Sequence, residues 1–433
     1  MIDIKHLREN PKLYKDNNKK KNKDIKVIDE VLELDKKWRS LKVQVDNLRH
    51  ERNSISENIN KAKKSKDDRK ASDLIKKAKE IPEILKKIEE EEKEIFEKLN
   101  KGIAKIPTLM EKKVPHGKSD KDNIVRKKSG KPKSFNFPVR NHVEIIENLG
   151  LGDFDASAKV SGAGFYYLKG DLALLNQALI RFIIDLMSKK KYTYIEPPLM
   201  VHKKVAEAAE DFEAFKTKIY KIQDEDLYLI PTSEHSILGM LSEKITPEKN
   251  LPLKFLGYSM CFRKEIGSHG INEKGLWRTH QFNKVEQFIF CHPRDSWKYY
   301  NELKKNSEEI MKKLKLPYRI IESCSGDLGD WKAKGEDIEV YRPTTKDYGE
   351  VTSLSNCVDS QSRGLNIKGI SKKGEKYFLH TLNNTAIATS RIMVAILENH
   401  QQKDGSVKIP SALHKYMNGK KVLKRSGNKK QNE

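Results

Sequence analysis

Cysteine is scarce in this chain, with four among 433 residues, and Cys261, Cys291, Cys324 and Cys357 show no Cys-x-x-Cys spacing. This argues against a disulfide framework or a zinc site. Each cysteine lies in or beside an apolar run, so buried free thiols are expected. No apolar stretch approaches the length of about 18 residues that a membrane span needs, and residues 1–10 are charged, without the apolar centre of a signal peptide. A cytoplasmic protein without membrane contact is the expectation. Acidic residues are in deficit, 62 against 86 Lys and Arg, for a net charge of +24 and a pI near 9.5. That balance favours a polyanionic partner, set against the plainer possibility of a generally lysine-rich proteome. Only 36% of residues are hydrophobic while 34% are charged, so part of the chain must form a charged, poorly buried element.

The element is legible near the N-terminus. Val31, Leu34, Trp38, Leu41, Val45, Leu48, Arg52, Ile55, Ile59 and Ala62 follow steps of three and four, the seam of a coiled coil. A second seam runs through Leu74, Ala78, Ile81, Leu85, Ile88, Glu92, Ile95 and Leu99, and the polar stretch 63–70 between them can turn. Two narrow-seamed helices of thirty-odd residues predict an antiparallel hairpin roughly 45–50 Å long. Arg52 and Glu92 interrupt the seams, and Pro82 should kink the second helix or force a local adjustment. A dimerisation or spacer coil is the bland use of such a hairpin; lysines near its tip fit contact with a nucleic-acid backbone.

Residues 102–139 are rich in Lys, Gly, Pro and Ser and read as a linker; from Asn141 the composition becomes globular. Helices are expected at 142–149 and 172–188, a strand at 191–201 and a final amphipathic helix at 385–400. The strands run consecutively instead of alternating with helices, which predicts an α+β fold on an antiparallel sheet flanked by helices.

Two segments carry the strongest chemical signal. Residues 261–265 read Cys-Phe-Arg-Lys-Glu and residues 277–286 read Trp-Arg-Thr-His-Gln-Phe-Asn-Lys-Val-Glu. They read as half-buried strands on either side of a mobile loop at 266–276, which carries Gly267, Gly270 and Gly275. An arginine and a glutamate two apart on a strand share a face, where one can clamp a phosphate or carboxylate and the other can accept from an amine. Further segments are 192–200 (ending Glu-Pro-Pro-Leu-Met), 230–234 (Ile-Pro-Thr-Ser-Glu), 348–353 (Tyr-Gly-Glu-Val-Thr-Ser) and 381–391 (Thr-Leu-Asn-Asn-Thr-Ala-Ile-Ala-Thr-Ser-Arg). Taken singly, these read as a strand end, a helix cap, an acidic strand and a helix start.

Taken in order, they resemble motifs 1, 2 and 3 of class II aminoacyl-tRNA synthetases, and Gly-Leu-Trp-Arg-Thr-His-Gln-Phe at 275–282 resembles the seryl-tRNA synthetases in particular. No His-Ile-Gly-His or Lys-Met-Ser-Lys-Ser of the class I enzymes is present. The resemblance implies a ligase that activates L-serine with ATP and transfers it to tRNA(Ser), and to tRNA(Sec) where a cell has it. It further implies Mg²⁺, a homodimer with Pro198 in its interface, and an N-terminal arm that grips the long variable arm of the tRNA by shape and phosphates.

Residue by residue, it implies that Thr232, Ser233, Glu234, Glu286 and Thr385 bind L-serine, with Glu286 at the end of the returning strand reading the hydroxyl. Arg263 and Arg391 are the implied catalytic residues. Arg263 bridges carboxylate and α-phosphate, while Arg391 meets the γ-phosphate. ATP would contact Arg263, Lys264, Glu265, Thr279, Phe282, Glu350, Val351, Thr352, Ser353 and Arg391, with Glu350 and Ser353 as Mg²⁺ ligands. The motif 3 helix departs from the usual wording, with Asn384 and Ala388 where glycines are common. The expected division is a tRNA-binding coiled-coil arm at 1–105, a linker at 106–140, a catalytic domain at 141–418 and a basic disordered tail at 419–433. A class II ligase for another amino acid and a catalytically silent RNA-binding paralogue are the alternatives. The first is disfavoured by the full arm, the second by the intact Arg263, Glu265, Glu286, Glu350 and Arg391.

Overall fold

The computed structural model describes residues 1–210, 217–265 and 274–425. The chain divides into two compact units, Ile2–Pro107 and Thr108 onward, with Met1 grouped with the second.

In the first unit, helices α1 (Ile4–Glu9) and α2 (Pro11–Lys20) precede a hairpin of α3 (Lys26–Lys64) and α4 (Asp68–Ala104). The seam holds: Val31, Leu41, Val45, Ile55 and Ala62 of α3 and Ile81, Leu85, Ile95 and Leu99 of α4 are buried. The helices are 39 and 37 residues long, about 55–60 Å at 1.5 Å per residue. They exceed the expected length because both run past their seams and the turn needs only Ser65, Lys66 and Asp67. Lys66 takes φ +57, and the Asp67 carboxylate caps α4 by accepting from the Lys70 N–H at 3.1 Å. Glu92 interrupts the seam because it accepts from the Trp38 indole N–H at 2.9 Å; Arg52 is simply exposed. Pro82 lies inside α4 without ending it. Buried Asp35 receives both Arg8 and Arg39 at 3.0 Å, tying α1 to the hairpin.

In the second unit, eight strands form the main sheet among the described residues. They are β1 (Ile124–Ser129), β2 (Thr193–Ile195), β3 (Leu253–Phe262), β4 (Gln281–Cys291), β5 (Tyr318–Glu322), β6 (Lys334–Arg342), β7 (Asp347–Val358) and β8 (His380–Ala388). Their order is β1-β5-β6-β7-β8-β4-β3-β2, antiparallel except for the β2/β3 pair. The helices used below are α5 (His142–Leu149), α6 (Gly170–Ser188), α7 (Ser233–Met240), α8 (Ser296–Lys313) and α9 (Thr389–Asn399).

Side-chain alternation divides the two faces of the sheet. On one face Gln287 and Asn384 bond to Ser307 of α8. On the other, Phe288 and Phe290 pack with Ile237 and Leu238 of α7. Helices α6 and α9 share one large core, with Leu172, Leu179 and Ile183 beside Ile392, Met393 and Ile396.

Four expectations change. The final helix begins at Thr389, because 380–388 pairs along its length with β4 and over 381–384 also with β7; Thr385 is therefore a strand residue. The strand at 191–201 stops at Ile195 ahead of the Pro-Pro pair, and Met200–Val201 pairs separately with Tyr228–Leu229. The linker segment contains β1, an edge strand paired to β5. The segment expected to be a disordered tail starts ordered, since Val422–Leu423 pairs with Val407–Lys408; residues 426–433 lie outside the described residues. All four cysteines are free and buried. No helix among the described residues is long and apolar enough to cross a membrane.

Candidate active site

On the α7 face of the sheet, β4, β7 and β8 floor an open cavity of about 150 Å³. Its inner end is built around carboxylates. Glu286 of β4 lies opposite Thr385 of β8 and Gly257 of β3, so it sits mid-strand and not at a strand end. It is 2% exposed. Its Oε2 receives the Lys284 ammonium at 2.6 Å and the Thr385 hydroxyl at 3.3 Å. Glu234 enters from the first turn of α7, where Thr232 is both N-cap, accepting from the Glu234 N–H at 3.3 Å, and a cavity residue. The helix-cap reading and the site reading thus describe the same residue. Gln361 and Asn383 both donate to Glu234 Oε1, at 2.6 and 2.9 Å. Burial, reinforced by the nearby Glu210 and Glu286, pushes the Glu234 carboxyl up to about 7.

At the other end stand the guanidiniums. Arg263 lies over the Phe282 ring at 5.2 Å. Its Nε is buried without a hydrogen-bond partner among the described residues, a donor suited to an incoming anion. Arg391, in the first turn of α9, donates to the Glu350 carbonyl at 2.8 Å and pairs with its carboxylate at 3.3 Å. Glu265 accepts from Arg278 at 3.3 Å. Arg263 and Glu265 lie past the end of β3, and Glu265 takes φ +51, so strand alternation does not bring them together as the spacing suggested. The intervening loop lies, at 266–273, outside the described residues.

A β-bulge explains the Glu-x-x-Ser spacing. Ser353 pairs with Asp337 and Glu350 with Glu339, with a register shift between. Asp337 and Glu339 are two apart on β6, so the bulge places Glu350 and Ser353 on one face despite their odd separation. Val351 and Thr352 also line the cavity, as does buried Thr279. Burial opposes ionisation of Glu350, but Arg391, Arg263 and Lys332 outweigh it and hold its carboxyl below the usual range. Asp337 is pushed up to about 7 by burial and by the charge of Glu350.

Two expected contacts do not reach the cavity. The Ser233 hydroxyl donates to the Gly257 carbonyl at 3.1 Å, and the Lys264 ammonium lies over the Tyr220 ring at 5.6 Å. Asn384, where a glycine was expected, does not narrow the site. Its amide points to the α8 face and donates to the Leu303 carbonyl and the Ser307 hydroxyl at 3.0 and 2.8 Å.

Comparison with known proteins bears on the whole chain. The seryl-tRNA synthetase N-terminal domain matches residues 1–110, and the class II core domain of the synthetases for G, H, P, S and T matches residues 215–400. A serine–tRNA ligase of Methanospirillum hungatei is 47% identical over 98% of this chain and 100% of its own length. The chain belongs to the seryl-tRNA synthetase family. The seryl-tRNA synthetase of Pyrococcus horikoshii, solved in complex with ATP, superposes with a TM-score of 0.90 at 41% identity, covering 98% of this chain and all of the other. The cytoplasmic serine–tRNA ligase of Naegleria fowleri, solved with AMP, gives 0.84 at 32% identity over 96% of each chain. The chain is accordingly a ligase of the aminoacyl-tRNA-forming type.

Sequence reading missed several cavity residues that the family fold brings together. Lys284 and Arg278 lie inside the strongest segment but carry no spacing of their own. Asn383 lies inside the 381–391 segment without a role read for it, whereas Glu210 and Lys332 arrive from separate elements, and only tertiary proximity reveals those two. Among the described residues no three acidic, histidine or cysteine side chains gather as a ready-made cation site. The hard oxygens of Glu350 and Ser353, beside the crowded charge of Asp337, nevertheless fit Mg²⁺ that also takes phosphate oxygens.

Proposed function

We propose that the carboxylate end of this cavity holds L-serine, that the guanidinium end holds ATP, and that Arg263 works at their junction. The observation that carries this is a pair of buried carboxylates, Glu234 and Glu286, in the same cavity as Arg391 and Arg263, whose Nε has no partner among the described residues.

The α-ammonium of serine would pair with Glu234 and meet the Thr232 hydroxyl. The serine hydroxyl would donate to Glu286, whose other oxygen Lys284 already occupies. Alanine, lacking that hydroxyl, would leave a buried acceptor unsatisfied. A serine carboxylate oxygen attacks the α-phosphorus, the bond to the β-phosphate oxygen breaks, and pyrophosphate leaves. Arg263 offsets the negative charge that accumulates as attacking and leaving oxygens share the phosphorus. Glu265 accepts from the adenine amine, the base packs against Phe282, and Arg391 pairs with the γ-phosphate. Mg²⁺, held by Glu350 and Ser353, would neutralise phosphate charge. In the second step the terminal ribose hydroxyl of the tRNA attacks the seryl carbonyl and AMP departs. Holding the reactants in place and stabilising charge suffice, and the enzyme forms no covalent intermediate.

The α3–α4 hairpin is proposed as the grip on the tRNA, with exposed Lys61, Lys63, Lys64 and Lys66 at its tip. A cytoplasmic homodimer completes the proposal. Its interface would include the segment after Pro198, where Leu199 and Met200 are exposed.

Pyrophosphate exchange with a panel of amino acids tests the pocket. Serine should support exchange and alanine and threonine should not; equal exchange with alanine would remove Glu286 from its role. Sedimentation of the intact protein tests the dimer.

A further inference from the structure

Two guanidiniums lie over the Trp277 indole. The Arg391 carbon is 5.5 Å from its ring centre and that of Arg342 is 4.4 Å away. The Trp277 carbonyl also accepts from Arg391 Nε at 3.4 Å. Trp277 therefore meets, through ring and backbone, the arginine assigned to the ATP phosphates. It packs so closely on β7 that a Cβ on Gly349 would approach its ring to 2.3 Å.

What holds Trp277 is a buried polar group outside the cavity. Glu398, in the last turn of α9 and fully buried, receives Arg342 through Nη2 on Oε1 at 2.9 Å and through Nε on Oε2 at 3.2 Å. Thr344 donates to it at 2.9 Å. His142, at the start of α5, sets Nδ1 at 3.2 Å from Glu398 Oε1, and its Nε2 lies 3.1 Å from the backbone N–H of Leu276.

The backbone N–H of Leu276 can only donate, so Nε2 must accept and the ring must carry its proton on Nδ1, where Glu398 accepts it. The backbone fits the ring closely. Gly275 takes φ +144, and a Cβ there would fall 2.4 Å from Nε2. One helix thus presents Arg391 to the cavity and, seven residues on, Glu398 to this group; i and i+7 lie on the same helix side.

We propose that His142, Glu398 and Arg342 are positioning residues for Arg391, orienting its guanidinium toward the ATP phosphates by fixing Leu276 and Trp277. None of the three lines the cavity. The proposal rests on Arg391 being a phosphate ligand, and the experiment separates the two.

Steady-state pyrophosphate exchange on the full-length protein should compare Arg391→Ala, His142→Phe, His142→Gln and Arg342→Lys. Arg391→Ala should raise the KM for ATP; an unchanged value would overturn the assignment of Arg391 itself. With that assignment standing, His142→Phe should raise the KM for ATP at least tenfold and leave the KM for serine within twofold. His142→Gln, whose amide offers both a donor and an acceptor, should recover most of the loss. Arg342→Lys keeps the charge on Glu398 but loses the planar stack on Trp277, and should raise the KM for ATP severalfold. An ATP KM unmoved in the His142 and Arg342 variants, or equal changes in both substrates' KM values, would overturn the proposal. Should His142→Phe fail to fold, ¹⁵N spectra of the parent imidazole decide. A proton on Nδ1 with bare Nε2 supports the relay, and the opposite tautomer overturns it.

Discussion

The hairpin and the cavity are built by opposite means. The hairpin's apolar positions recur every three or four residues, and each seam contact is made with the one neighbouring helix that the 65–67 turn folds back, as Trp38 meets Glu92. The cavity collects Glu234, Glu286, Glu350 and Arg391 from α7, β4, β7 and α9, elements with no shared period. A local repeat survives almost any single change, because neighbouring seam positions share the burial. A constellation assembled across a sheet depends on register, and a one-residue slip turns every side chain to the other face. The same contrast separates binding from chemistry. The hairpin offers a long charged surface, and the sheet offers a few atoms at set distances.

Removing the hairpin should sharpen that contrast most. Deleting 31–99 with a short replacement linker should lower aminoacylation by about a thousandfold or more, roughly 4 kcal/mol of lost tRNA binding. Pyrophosphate exchange should persist, because every cavity residue lies in the second unit. The parent's tRNA affinity should also fall steeply with salt. Charging at near-parental efficiency in the truncated protein would reduce the hairpin to a spacer.

Glu286→Ala comes next. Serine activation should drop by about 10³-fold or more, as expected when a site built to bond a hydroxyl loses its acceptor. ATP binding should persist, and activation within about threefold of the parent would remove Glu286 from the pocket's function.

A pH series probes the same end of the cavity more gently. The Glu234 carboxyl, raised to about 7 chiefly by burial, is half-ionised near that pH and progressively neutral below it. Serine affinity is therefore full on the alkaline side and lost as pH falls. The KM for serine should climb about tenfold per unit below 7, and Glu234→Gln should flatten the profile. A parent profile flat from pH 8 to 5.5 would show that Glu234 does not pair with the ammonium.

In the hairpin, Leu99→Ala should lower the arm's stability by about 2–3 kcal/mol through a buried cavity, with exchange activity unaltered. Asp67→Ala, which removes the cap of α4, should cost about 1 kcal/mol. Thermal melts beside exchange assays measure both. A loss of exchange in either variant would join what the comparison separates.

Much of the molecule was readable in one dimension. The seams of α3 and α4, the helix at 142–149, the antiparallel class and the cavity residues Thr232, Arg263, Glu350 and Arg391 all announce themselves by period or by motif. The misses share a cause. Thr385 reads as helix because Thr-Ala-Ile-Ala has no strand alternation strong enough to oppose it, yet pairing with Glu286 of β4 makes it a strand residue. Ser233 and Lys264 sit inside motifs, but their side chains turn toward Gly257 and Tyr220.

The sequence by itself determined the two-part plan, the hairpin's seam and the kinds of side chain available to the chemistry, because periodicity and residue type are local properties. Tertiary structure alone decided that a bulge aligns Glu350 with Ser353, that Lys284 occupies one oxygen of Glu286 and that His142 reaches Leu276 from 134 residues away. Those outcomes depend on strand register and on which buried polar atoms must find partners. Both arise only when distant segments pack together.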